Sequence, residues 1–182
     1  MKLRPIVIII AAVLVSSFLL YLPFITNTIQ FLGFNIKDAS MKYIYQNYDG
    51  LLYTVPAMSW YNPKAIENIR LEFHLPLEYY AAHLPLYPLF ITLFTPLFGY
   101  IKSMIFVSLL FSVLLAAFFY KFLKHFNITA NPLVLTLTFL FLPRFFIIRS
   151  VGAPESLFLF LILLSIFFFE KKDYLLAGIF GG

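Results

Sequence analysis

The sequence contains no cysteine. That excludes disulfides, thiolate metal sites and cysteine nucleophiles. Charge is also scarce, at 12% of residues, against roughly 25% in a soluble domain. Lys and Arg outnumber Asp and Glu by 13 to 8, but they stand at the ends of apolar runs and form no basic face. Nucleic acid is therefore not an expected partner. P-loop, dinucleotide-fingerprint, H-E-x-x-H and G-x-S-x-G patterns are all missing from the chain. Chemistry here would have to run on an activated donor that carries its own leaving group.

What fills the chain is apolar surface, with 62% of residues hydrophobic and 20% aromatic. This is the composition of a membrane protein. The first run, 5–25, follows Lys2 and Arg4. At about 20 residues it is long enough to cross a hydrocarbon core and longer than the 7 to 15 of a signal peptide. No A-x-A site closes it, so we read an uncleaved first span. Further spans are expected at 103–120, 132–148 and 156–169, with a truncated one at 174–182. The last stops in mid-pattern, so the sequence reads as the N-terminal part of a longer polytopic protein.

Between the first two spans lies a mixed interval, 26–102. It carries Lys37, Asp38, Lys42, Asp49, Lys64, Glu67, Arg70, Glu72, His74, Glu78 and His83. In "NPKAIENIRLEF", Asn62 is the expected N-cap and Pro63 the first helical residue. Ile66, Ile69 and Phe73 recur opposite Lys64, Glu67 and Arg70, the pattern of a short amphipathic helix at a membrane surface. "DASMKYIYQ" suggests another, and Trp60 with the many tyrosines suits a headgroup zone. The run 84–101 is long enough to cross, yet it holds Pro85, Pro88 and Pro96, each lacking a backbone donor that lipid cannot replace. If it lies at the surface or re-enters, Lys2 with Arg4, Lys121 with Lys124, and Lys171 with Lys172 all fall on the cytoplasmic side. We prefer that topology. It puts the loop with Asp49 and the turn "RSVGAPES" (149–156) on one outer face, and the sequon Asn127-Ile128-Thr129 in the cytoplasm.

Three polar clusters are candidates for chemistry. In "DGLLYTVPA", Asp49, Tyr53 and Ala57 fall four apart, on one face of a helix that Gly50 and Pro56 would limit. The plain alternative for Asp49 is a turn or cap residue. In "HLPLYP", His83 and Tyr87 bracket a proline-stiffened entry into apolar sequence, and interfacial anchoring explains them equally. In "RSVGAPES", Arg149 and Glu155 flank Gly152 and Pro154 beside apolar runs, where a charge is costly unless paired or facing a polar cavity. A mutual ion pair is the plain alternative there. Arg144 lies deeper and would snorkel.

In this order the motifs resemble the N-terminal part of a GT-C glycosyltransferase, a polytopic enzyme that takes sugar from a polyprenyl-phosphate or polyprenyl-diphosphate lipid. The family's D-x-x-x-Y-x-x-x-A motif reads "DGLLYTVPA" here, and "HLPLYPLF", "RSVGAPESLFLF" and "EKKDYLLAGIFGG" follow. The combination looks most like the branch of the second mannosyltransferase of GPI-anchor synthesis and its prokaryotic relatives. One departure is Gly50, since many relatives carry a second acidic residue there. The resemblance implies an all-α polytopic transmembrane bundle whose long extracytoplasmic first loop carries short amphipathic helices. It implies inverting transfer of a sugar, mannose by the branch, to a hydroxyl of a lipid or glycan acceptor. Asp49 is then the catalytic base, with Asp38 well behind it. Arg149, helped by His83, meets the departing phosphate, Tyr53 and Tyr87 contact the sugar, and Glu155 orients Arg149 or a sugar hydroxyl. A divalent cation is the one cofactor the resemblance leaves open. The location implied is a prokaryotic plasma membrane or the ER membrane, with the active centre on the extracytoplasmic side. The competing reading is a polytopic transporter or flippase-like protein that breaks no bond.

Overall fold

The computed structural model describes residues 4–37, 39–69 and 75–182. Lys2, Asp38, Arg70, Glu72, Phe73 and His74 lie outside them. Helix makes up 73% and strand 2%, so the chain is mostly helical, in keeping with the expected all-α class.

Helix α1 spans Pro5–Ile25. It begins on a proline, whose missing N–H would be unpaired there anyway. It ends through left-handed Asn27, with the Thr28 amide donating to the Pro23 carbonyl, which satisfies an end carbonyl. Strands β1 (Gln30–Phe31) and β2 (Phe34–Asn35) then pair antiparallel. The two-residue turn between them, Leu32 and Gly33, has positive φ at both positions, the geometry that matches strand twist. The sequence pattern does not announce this small hairpin.

Four short helices follow: α2 (Met41–Gln46), α3 (Gly50–Ser59), α4 (Pro63–Asn68) and α5 (Leu77–Ala81). Asn62 caps α4 as its sequence predicts, accepting from the Lys64 and Ala65 amides. Helix α6, Leu86–Phe98, has 13 residues, about 20 Å at 1.5 Å per residue and well short of a roughly 30 Å hydrocarbon core. Two of its prolines are placed cheaply, while Pro96 lies inside the helix and lacks the amide a ladder bond needs. Pro85 is the N-cap and Pro88 lies in the first turn, where amides have no intrahelical acceptor. Gly99, with φ +73, breaks the chain into α7, Tyr100–His125.

Helices α1 and α7 are long and apolar enough to cross a membrane. The expected span 132–148 is instead two helices, α8 (Pro132–Leu140) and α9 (Pro143–Ile148). Pro143 opens the second because it cannot continue the first. Helix α10 runs Glu155–Glu170 and packs in a hairpin against α11, Tyr174–Gly181. The Ser165 hydroxyl donates to the Ala177 carbonyl across that pair.

The chain divides into two compact units. One comprises Met1–Leu22, Ser108–Ser150 and Pro154–Gly182. Its core gathers Ile9 and Val13 of α1 with Leu115, Ala116, Leu140 and Phe145. Within it the hydroxyls of Ser112 and Ser156 meet at 2.8 Å, a polar link between otherwise greasy helices. The other unit comprises Pro23–Val107 and Val151–Ala153. Leu52, Val55, Ile66 and Tyr80 form its core, the buried faces of α3, α4 and α5.

Candidate functional site

Asp49 occupies the N-cap position of α3, exposed, with no hydrogen bond from its side chain to the helix end. A capping aspartate normally accepts from the second or third helical amide. This one leaves its carboxylate uncommitted to the helix, so of the two plain alternatives the cap does not describe it and the turn does, since Tyr48 and Asp49 form the turn that leads into α3. Tyr48 just before it holds φ +57. A bulky residue in that region is costly and tends to occur where structure over-determines it, functional sites among them.

Helix α3 covers the motif from Gly50 onward, so Tyr53 and Ala57 share a face and Asp49 stands at the N-cap, four residues before Tyr53. The Tyr53 ring is edge-on to His83, 4.6 Å between centroids at 84°, and edge-on to Tyr87 at 5.1 Å and 90°. Three residues singled out in sequence thus form one aromatic cluster, one helical turn past the aspartate. His83 is itself held: its Nδ1 pairs with the Tyr79 carbonyl at 2.9 Å, and its own carbonyl accepts the Tyr61 hydroxyl. Tyr87 is 2% exposed and donates its hydroxyl to the Met104 carbonyl at 2.9 Å. Its ring therefore supports Tyr53 and offers no open face.

The turn "RSVGAPES" contributes to the same unit through Val151–Ala153. Gly152 packs against Gly50 so closely that a Cβ on Gly50 would stand 2.5 Å from the Gly152 carbonyl oxygen and 2.9 Å from Met104 Sδ. A side chain at position 50, a carboxylate included, has no room in this arrangement. The contact was invisible in the sequence, where Gly50 read as a limit on the helix and a departure from the acidic motif.

Arg149 and Glu155, which flank that turn in sequence, belong to the other unit. Arg149 is 0% exposed. Its Nη atoms donate to Ser17 Oγ at 2.9 Å and Ser16 Oγ at 2.8 Å, with a longer contact to the Val13 carbonyl at 3.5 Å. The Phe146 ring lies 4.8 Å away, a cation–π contact. Its Nε has no partner among the described residues. Tyr21 completes the attachment of α1 by donating to the Ser150 carbonyl at 2.9 Å. Glu155 begins α10, and its Oε2 is buried without a partner among the described residues. Among the described residues the two do not form the ion pair that sequence allowed. Arg144 is exposed on α9. Sequence reasoning missed Ser16 and Ser17, although two adjacent hydroxyls inside an apolar segment are a signal, since such groups turn toward a protein partner.

Among the described residues, no three of His, Asp and Glu gather where they would hold a metal ion. No family model, curated protein or solved structure matches the chain.

Proposed function

We propose that the chain is part of a multi-pass membrane glycosyltransferase that moves a sugar, mannose by motif resemblance, from a polyprenyl-phosphate donor to an acceptor hydroxyl with inversion. One observation carries this reading: an exposed, uncapped carboxylate at the head of α3, one turn from a ring cluster built by Tyr53, His83 and Tyr87. In this reaction the acceptor oxygen attacks the anomeric carbon while the carbon–oxygen bond to the lipid phosphate breaks on the opposite face. A hydroxyl is a poor nucleophile near neutral pH. Asp49 accepts its proton in the transition state, a role that contributes roughly 10² to 10⁴ in rate. Tyr53, half-buried beside His83, presents a ring to the sugar.

Arg149 enters differently from its expected role. Enclosed by Ser16, Ser17 and Phe146, it has no open side for a departing phosphate in this conformation, so in this reading it fastens α1. Helices α1 and α7 supply two crossings by length and apolarity. The hairpin of α10 and α11, whose outer residues Phe158, Phe169, Leu175 and Ile179 are exposed, fits a lipid-facing pair.

The test is transfer of radiolabel from polyprenyl-phosphate mannose by the full-length protein in proteoliposomes. The Asp49→Asn variant should insert and fold as the wild type does, yet lose transfer. Near-normal transfer by that variant would remove Asp49 as the base. Movement of intact donor across the bilayer with no label on any acceptor would favour the flippase-like reading.

A further inference from the structure

Strands β1 and β2 carry an apolar face that the fold leaves open. Phe31 pairs with Phe34 across the ladder and Gln30 with Asn35, and directly opposed residues project to the same side of a sheet. The Ile36 amide donates to the Ile29 carbonyl at 2.7 Å, so the ladder runs one pair further and alternation adds Ile29 and Ile36 to the side of the phenylalanines. Gln30 and Asn35 take the other side. On the apolar side Ile29 is 67% exposed and Phe34 74%, and Leu32 at the tip is 82% exposed.

Two features make this exposure more than incidental. A two-stranded hairpin is marginal in water on its own, and this one gains little from burying its apolar side. Its turn also carries a residue at odds with its geometry. Positive φ at both turn positions favours Asn-Gly, yet Leu32 stands at φ 49, a region costly to a bulky residue. A leucine held there serves through its side chain, not its backbone.

We infer that the hairpin is a membrane-seated finger, with its apolar side and the Leu32 tip embedded at the surface of the lipid leaflet where α1 ends. This rests on α1 crossing a bilayer. Reach identifies the occupant. Four residues, Thr26 to Ile29, separate α1 from β1, and the five steps from Ile25 to Gln30 cover at most about 17 Å of extended chain. The left-handed turn at Asn27, with the Thr28 amide on the Pro23 carbonyl, shortens that path. Phe24, in the last turn of α1, also stacks on Tyr43 of α2 at 6.1 Å, which fixes the exit of α1 within the unit that holds the hairpin. An element tied so closely to the end of a span stays at the boundary of hydrocarbon and headgroups, where amphipathic elements bury their apolar side about 5 to 10 Å deep. Charge agrees with this placement. Residues 26–37 include no Asp or Glu, and Lys37, exposed just past β2, is their single charge. An ammonium suits lipid phosphates, and no carboxylate in the hairpin resists insertion. The finger gives the unit that carries Asp49 a second hold on the leaflet, besides α1.

The sequence has no cysteine, so single ones can be introduced for labelling. Leu32→Cys, Phe34→Cys and, on the polar side, Gln30→Cys would be made in the full-length protein, with any cysteine outside these residues replaced by serine. Each variant is labelled with the fluorophore NBD in vesicles of phosphatidylcholine and phosphatidylglycerol. Nitroxides near the top or the middle of the acyl chains report contact with lipid, and aqueous iodide reports contact with water. The shallow nitroxide should quench labels at positions 32 and 34 at least about twofold more than a label at position 30, with iodide showing the reverse order. Leu32→Asn suits the turn, so it should keep the hairpin while cutting lipid quenching of the label at position 34 about twofold or more. Equal quenching on the two sides, or no effect of Leu32→Asn, would overturn the finger. So would a label at position 34 shielded from both nitroxide and iodide, which would mean that protein covers this side. Leu14→Cys in α1 separates the finger from its premise. Deep quenching at position 14 beside a water-exposed label at position 32 leaves the span standing and removes the finger. Lipid contact at position 32 with none at position 14 keeps the hairpin on the membrane surface and brings down the span.

Discussion

Asp49 and Arg149 are the two charged residues that the sequence makes most conspicuous, and the fold treats them in opposite ways. Asp49 stands exposed at the head of a short helix and spends nothing on capping it. Arg149 is shut away, with two serine hydroxyls, a backbone carbonyl and a phenyl face in place of a carboxylate. A buried guanidinium without a counter-charge is expensive unless its donors are satisfied, and the hydroxyls on α1 are what satisfy two of them. A charge in a greasy chain therefore has two distinct meanings. One group is left exposed and uncommitted to its helix end, and the other is committed to holding a helix in place.

The sharpest way to break this contrast is to neutralise each member in turn. Asp49→Asn should lower transfer roughly 10² to 10⁴-fold, with thermal unfolding displaced by no more than about 0.5 kcal/mol, as for other exposed substitutions. Arg149→Met should give the reverse pattern. A flexible apolar side chain of similar length replaces a buried charge at little cost or a gain in stability, and transfer should stay within about tenfold of wild type, the equivalent of roughly 1.4 kcal/mol. If Arg149→Met instead abolishes transfer while its unfolding is unchanged, the guanidinium meets the reaction directly and the contrast fails.

The next effect is structural. Removing both hydroxyls with Ser16→Ala and Ser17→Ala strands a buried cation that Arg149→Met does not leave behind. The double variant should lose about 3 kcal/mol in unfolding, since an unsatisfied charged group costs more than a neutral one. Adding Arg149→Met to it should recover most of that loss. This non-additivity is the signature of contact, and simple additivity would show that the three residues do not act together.

Gly50 offers a smaller test on the other unit. Gly50→Ala brings a methyl to 2.5 Å from a backbone oxygen, and should cost about 1 to 3 kcal/mol as overpacking does. For Gly152→Ala the three atoms nearest the added methyl all belong to the Met104 side chain, at 2.4 to 2.6 Å, and a rotamer change can move them, so it should cost less. Equal losses in urea unfolding would mean that the Gly50–Gly152 contact is not tight.

What could be read from the sequence was what periodicity and capping encode. Asn62 and Pro63 announced α4, and the four-residue spacing of Asp49, Tyr53 and Ala57 announced a helix with Tyr53 and Ala57 on one face and Asp49 at its N-cap. The apolar runs at 5–25 and around 103–120 became α1 and α7, the latter longer by three residues at its start and five at its end. The break at Phe141 and Leu142 was signalled by Pro143, which the count of apolar residues across 132–148 overrode. Contacts between distant segments carried no such signal. The stacking of Gly50 on Gly152, and the reach of Arg149 back to Ser16, depend on separations of 102 and 133 residues, and no local rule specifies them. Whether the site performs transfer was legible only as motif resemblance, which is why the predictions rest on chemistry at single residues.

The smallest effect concerns Tyr48, whose left-handed backbone leads directly into Asp49. The residue is 52% exposed, so little packing is lost on removing its ring. The cost of that conformation for an L-residue is roughly 1 to 2 kcal/mol, and glycine relieves it while giving back about 0.5 to 1 kcal/mol through the freedom of the unfolded chain. Tyr48→Gly should therefore be more stable than wild type by about 0.5 kcal/mol. Tyr48→Ala keeps the strain and should show no gain, so the difference between the two variants isolates the backbone from the ring. If the strain serves to aim the carboxylate, transfer should fall in the glycine variant despite its higher stability, and hold in the alanine variant. A glycine variant that is both more stable and fully active would make the strain at Tyr48 incidental to the chemistry at Asp49.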